Sequence, residues 1–125
     1  MKRGKMITVD YKDKRPIYEQ LAANICEMAL SGELKPDEQL PSVRQLAVAI
    51  NINPNTIARA YGELERRGVI YSVAGKGSFI NSDLSVVAGE RIKKSEEKLR
   101  AALREARKNG VNKERMLEIA GEEYD

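Results

Sequence analysis

The side chains with chemistry to offer in this 125-residue chain are guanidinium, amide and hydroxyl groups. There is no histidine and only one cysteine, Cys26. That excludes a disulfide framework, a zinc finger and histidine-based acid–base catalysis. The spacing offers no carboxylate pair, no nucleophile beside a base and no metal cluster, so the expectation is a non-enzyme without metal or cofactor. Cys26 lies in a helical apolar pattern and reads as a core thiol. Asn55, Thr56 and Arg59 bring an amide, a hydroxyl and a guanidinium together within about one helical turn. A guanidinium forks onto guanine, an amide pairs twice with adenine, and threonine meets a thymine methyl or a phosphate. Such groups recognise a surface; they do not break bonds.

Local helical elements must position them. A first helix is expected to open at Pro16, whose missing N–H needs no partner in a first turn. Ile17, Leu21, Ile25 and Met28 then recur on one helical face, and Gly32 is a natural stop. Ser42-Val43-Arg44-Gln45 has the S-x-x-Q form of a capping box and starts a short helix with Leu46, Ala47 and Ile50 inside. Asn51 sits at a tight turn that needs positive φ. Asn53 as N-cap and Pro54 in the first turn open a third helix reaching about Arg67. Its inner face is Ile57, Ala60, Tyr61 and Leu64; its outer face is Asn55, Thr56, Arg59, Glu63 and Arg66. Two helices about three residues apart, the second with a polar exposed start, have a helix-turn-helix layout.

After Gly68 the period becomes extended. Val69–Val73 and Ser78–Ile80 flank Ala74-Gly75-Lys76-Gly77, a hairpin that would form a wing. Residues 1–13 form a basic arm, with Lys2-Arg3-Gly4-Lys5 and a short β-like run at Ile7-Thr8-Val9. The arm could touch nucleic acid or simply be a disordered terminus. Beyond a linker at Asn81–Ser85, a long helix over about Val86–Asn109 repeats Ile92, Leu99 and Ala106 every seven residues. Gly110 stops it, and Asn112 caps a last helix with Met116, Ile119 and Ala120 in a stripe. The domain expectation is an arm at 1–13, a winged helix at 14–82 and a helical tail at 83–125.

Net charge is +3, all of it in the first 82 residues, which hold 12 Lys/Arg against 9 Asp/Glu. A polyanion partner fits that bias. No run is long and apolar enough for a membrane span, and no signal core follows the basic start, so a cytosolic protein is expected.

The stretches Pro16–Leu21, Leu40–Ala47, Asn53–Tyr61, Leu64-Glu65 with Gly68–Ile70, and Gly75–Phe79 together resemble the GntR-type winged helix. They cover about half the chain in the family's order and spacing. The roughly 43 residues that follow resemble the short two-helix tail of the YtrA-like branch. The resemblance implies a mainly α (α+β) fold and a sequence-specific DNA-binding transcription regulator. It further implies a repressor, often of a transporter operon in relatives, acting as a homodimer through its C-terminal helices. The site it implies comprises Ser42, Arg44, Asn53, Asn55, Thr56, Arg59, Tyr61, Gly75, Lys76 and Gly77.

For each, a plainer alternative stands. Arg44 could be a solvated surface residue, and Asn55 and Thr56 could cap a helix. Arg59 could pair with Glu63. Asn53 is a cap that could touch phosphate. The Tyr61 ring would pack while its hydroxyl could reach a phosphate, and Gly75-Lys76-Gly77 could be an ordinary turn. The chain departs from many family members at Pro54, where they carry Arg, and at Ala74, where they carry a polar or basic residue. The tail, with one apolar stripe per helix, would pair with a second copy or pack on its own winged helix. A small-molecule effector would have two places to bind, the dimer seam or the space between the tail and the winged helix. The competing function is a protein-interaction adaptor that uses the winged helix without specific DNA binding.

Overall fold

The computed structural model describes residues 7–125, so the basic Lys2–Lys5 stretch lies outside the described residues. The chain divides into two compact units, the first running to Ala88 and the second from Gly89 to Asp125.

In the first unit, α1 spans Ile17–Ser31, α2 Val43–Ile50 and α3 Pro54–Arg66, followed by strands β1 (Ile70–Val73) and β2 (Gly77–Ile80). Pro16 is the N-cap of α1 rather than its first residue; its carbonyl accepts from the Glu19 and Gln20 N–H groups. Leu21, Ile25 and Met28 are buried as their spacing predicts, and Ile17 is half-buried. The α1 face packs on α3, and α2 packs on α3 from another side. The centre holds Leu21, Ile25, Leu34, Ile57, Leu64, Val69 and Ile80, all fully buried. Each such side chain contributes about 1.5–3 kcal/mol by leaving water.

The expected β-like run at Ile7–Val9 does not form a strand. Instead Ile7 is buried in the core, and the Thr8 carbonyl accepts from the Asn24 side chain. Buried Gln20 holds the same segment, accepting from the Asp10 N–H at 2.8 Å and donating to the Asp10 and Arg15 carbonyls. Side chains of α1 thus satisfy backbone groups that a sheet neighbour would otherwise have bonded.

Strands β1 and β2 form an antiparallel hairpin, with Ile70 opposite Ile80 and Val73 opposite Gly77. Residues 37–40, expected as plain connection, lie along the other edge of β2. Leu40 N–H donates to the Ser78 carbonyl, Ile80 N–H to Glu38, and Asp37 N–H to Ile80. Tyr71 stacks on Phe79 with centroids 5.5 Å apart, and its hydroxyl donates to Asp37 Oδ1 at 2.8 Å.

Helix α4 spans Ser85–Lys108, and its first turn belongs to the first unit. Val87 is buried there and Leu84 packs against the same core. The unit boundary therefore falls at Ala88, six residues past the expected one at 82. In the second unit α5 spans Lys113–Tyr124, and the Asn112 side chain accepts from the Arg115 N–H at 2.8 Å. No side chain of α5 is buried. The heptad residues Ile92 and Leu99 are more than half exposed.

Candidate nucleic-acid interface

The site begins with how two helix starts are built. Ser42 Oγ accepts from the Gln45 N–H at 3.1 Å, and Gln45 Oε1 accepts from the Ser42 N–H at 2.9 Å. This capping box satisfies two orphan donors and fixes the first turn of α2. Arg44, its second residue, is exposed on that fixed turn. Helix α2 ends at Asn51 with φ 54° and ψ 52°, the left-handed conformation expected of it. The Ile52 N–H closes back on the Ala47 carbonyl at 3.0 Å.

Asn53 Oδ1 then accepts from the Asn55 N–H at 2.8 Å, with Pro54 as the first residue of α3. Because Asn53 does the capping, the Asn55 side chain is left exposed, beside half-buried Thr56. The inner face is as expected, with Ile57, Ala60, Tyr61 and Leu64 all buried. Asn55 and Arg59 lie on the face opposite, since four residues advance a helix by a little over one turn.

Tyr61 has a positioning task. Its ring is buried and its hydroxyl donates to the Pro41 carbonyl at 2.7 Å. Burial pushes the phenol well above its ordinary range. The proton considered for a phosphate is thus committed to the backbone, and the bond ties α3 to the entry of α2.

Arg59 has a partner that the sequence reading missed. Its guanidinium carbon lies over the Tyr18 ring, 3.9 Å from the centroid. Glu63, considered as its ion partner, is engaged by Arg66, whose Nε donates to Oε2 at 3.1 Å. Tyr18 is half-buried on α1, 41 positions before Arg59, and it packs against the core. Only its aromatic type beside an inward-facing Ile17 hinted at such a role. The stack holds the plane of a long, flexible cation.

At the wing, Ala74, Gly75 and Lys76 are exposed between the strands. The Gln39 Nε2 donates to the Lys76 carbonyl at 2.8 Å and so braces the tip from outside the hairpin. Gly77 has φ 125°, and a Cβ there would lie 2.8 Å from that same Nε2. A side chain at 77 would strain the backbone and push the brace away. Gln39 gave no sequence signal, being a polar residue in a short connection. Among the described residues no group of His, Cys, Asp or Glu is placed to hold a metal ion.

A capped α2, a turn, α3 with a polar outer start and a braced hairpin are the parts of a winged helix-turn-helix. The model of the gntR family, bacterial regulatory proteins, matches residues 17–80, from the first turn of α1 to the end of β2. This chain belongs to the GntR family. It is a DNA-binding transcription regulator with a winged helix. The transcriptional repressor YtrA of Bacillus subtilis is 40% identical over 115 residues, which are 90% of this chain and 88% of that protein. A crystal structure of a transcriptional regulator from Oenococcus oeni superposes with a TM-score of 0.82. It is 36% identical and covers 98% of this chain and 99% of its own. The DNA-binding domain of AraR, solved with its operator ORE1, superposes with a TM-score of 0.51 at 28% identity. That match covers 60% of this chain and 92% of the AraR domain. The YtrA and Oenococcus likenesses run through the tail, so the GntR chain and its short tail are matched together. Among the described residues, no helix is long and apolar enough to cross a membrane.

Proposed function

We propose that this GntR regulator is a cytosolic repressor that binds a palindromic operator as a homodimer, through Arg44, Asn55, Thr56, Arg59 and the Gly75-Lys76-Gly77 turn. One observation carries the reading. Ser42, Gln45 and Asn53 do the capping, and Tyr61 clasps the helices. Arg44, Asn55 and Arg59 therefore stay exposed on fixed turns, with no capping task of their own. Ser42, Asn53 and Tyr61 then act on DNA through the residues they hold in place.

In this reading the start of α3 enters the major groove, where amide and guanidinium groups distinguish bases. Arg44 adds a phosphate or guanine contact from α2. Lys76 adds a phosphate or minor-groove contact from the wing. A two-fold dimer sets half-sites about one helical turn apart, roughly 34–36 Å, or a multiple of it. The exposed Ile92 and Leu99 row on α4 supports pairing of the tails. A small molecule that changed the seam would change the separation of the two α3 helices and release the operator.

The test is selection of genomic fragments by the purified full chain, followed by footprinting. The expected result is a protected palindrome with a fixed half-site spacing. Uniform coverage without sequence preference would refute the repressor. No DNA affinity even in low salt, with a protein partner retained, would favour an adaptor instead.

A further inference from the structure

A helix lying in the major groove has a phosphate strand on either side, and contacts to the backbone fix its register. The outer face of α3 has two flanks on which such contacts can be built. Residues two apart on a helix point about 200° away from each other. Tyr61 marks one flank, where its hydroxyl reaches the Pro41 carbonyl just ahead of α2. Arg59 marks the other, where its guanidinium lies over Tyr18 in the first turn of α1. Arg44 serves the α2 flank. On the α1 flank only Arg59 has been named, and the reading above gives it a base rather than a phosphate.

The segment that leads into α1 on that flank is the turn at residues 10–15. Gln20, only 3% exposed, commits its amide to this turn. Its Oε1 accepts from the Asp10 N–H at 2.8 Å, and its Nε2 donates to the Asp10 carbonyl at 3.1 Å and the Arg15 carbonyl at 3.0 Å. A buried amide is costly unless it is bonded, so these three bonds hold the turn in one shape. The two carboxylates of the turn are folded back on its own backbone. Asp10 Oδ1 accepts from the Lys12 N–H and Asp13 Oδ1 from the Arg15 N–H, each at 2.9 Å. Asp13 Oδ2 also meets Arg15 Nη2 at 2.8 Å, so that anion and that cation neutralise each other.

Two cations are left over. Lys12 and Lys14 are exposed, and among the described residues neither ammonium has an ion partner. Tyr11 beside them is 74% exposed, so its ring does no packing in the core. Ammonium groups and a phenol hydroxyl are side-chain donors that meet phosphate oxygens.

We propose that Tyr11, Lys12 and Lys14 grip the phosphate strand on the α1 flank of α3, across the helix from the side that Arg44 serves. The ligand is the DNA backbone, met by charge and hydrogen bonding without regard to sequence. The grip rests on the operator reading above and adds where the second strand is held.

The test is K12Q/K14Q in the full chain, measured by fluorescence anisotropy on the selected operator and on unrelated DNA across a salt series. Glutamine keeps a polar side chain and removes the charge, and melting curves check the fold. Each lost phosphate contact lowers the slope of log K against log salt by about 0.9, so the slope should become shallower by about two. Binding should weaken on the order of tenfold at about 0.1 M salt, by the same factor on both DNAs. K93Q/K94Q removes the same charge from exposed positions of α4 and should keep the wild-type slope. An equal fall in K93Q/K94Q would show that net charge alone is felt and would overturn the grip. An unchanged slope in K12Q/K14Q, with wild-type operator binding intact, overturns it too and leaves the operator reading standing. A loss confined to one base pair also counts against it. If the wild-type chain has no sequence preference, the operator reading fails, while the slope on unrelated DNA still decides the grip.

Discussion

Replacing Tyr18 with leucine removes the ring under Arg59 while keeping an apolar side chain of similar reach. The guanidinium lies 3.9 Å from the ring centroid and is exposed. At exposed sites a cation–π contact is worth about 0.5–1 kcal/mol. If DNA binding needs the guanidinium where the ring holds it, Y18L should weaken operator binding by about 2–5-fold. Arg59→Ala loses the contact itself and should cost more, about 1–3 kcal/mol if the fork reads one guanine. Tyr18→Phe keeps the ring face and should bind within about twofold of wild type. The assay is fluorescence anisotropy on the operator and on single-base variants, at one fixed salt concentration, with melting curves as a fold control. The loss in Y18L should be concentrated at the base pairs where R59A also loses discrimination. Wild-type affinity in Y18L, beside a large loss in R59A, would refute the positioning role. Tighter binding in Y18L would show that the ring restrains Arg59 rather than presenting it.

Tyr61→Phe should lower unfolding stability by about 1 kcal/mol, because the Pro41 carbonyl loses its 2.7 Å donor. Chemical denaturation should show this, with little change in operator affinity while the chain is folded; a large affinity loss without a stability loss would restore a direct DNA contact. Lys76→Ala should weaken binding about equally on all sequences and reduce the salt slope by about one, whereas Asn55→Ala should cost about 1–3 kcal/mol at a single base position. The hydrogen bond and charge of Arg15 hold the Asp13 carboxyl below its ordinary 3.8, and the Ser85 hydroxyl and N–H do the same for Asp83. Their contribution is present above the unfolded value and is lost as pH falls through the lowered folded values. Melting temperature should therefore be flat from about pH 6 to 8, where a chain without histidine has no ordinary side-chain titration, and fall in acid. A drop between pH 6 and 8 would count against it.

The sequence by itself determined what depends on neighbours a few residues away. The Ser42–Gln45 capping box, the left-handed Asn51, the Asn53 cap and the inward Ile57, Ala60, Tyr61 and Leu64 were all legible. Each is decided by short-range hydrogen bonding or by helical period, so a single chain of letters carries it. The candidate residues Arg44, Asn55 and Arg59 were legible as exposed for the same reason. What bridges long separations was not. Tyr18 reaches Arg59 across 41 residues, Gln39 reaches the Lys76 carbonyl across 37, and the Tyr61 hydroxyl finds Pro41 across 20. Residues 37–40 gained a strand neighbour, and Ile7–Val9 gained a helix instead of one. A backbone donor takes whichever acceptor packing brings to it. Only the tertiary structure, by packing α1 and α2 on α3, decided how the exposed groups are held.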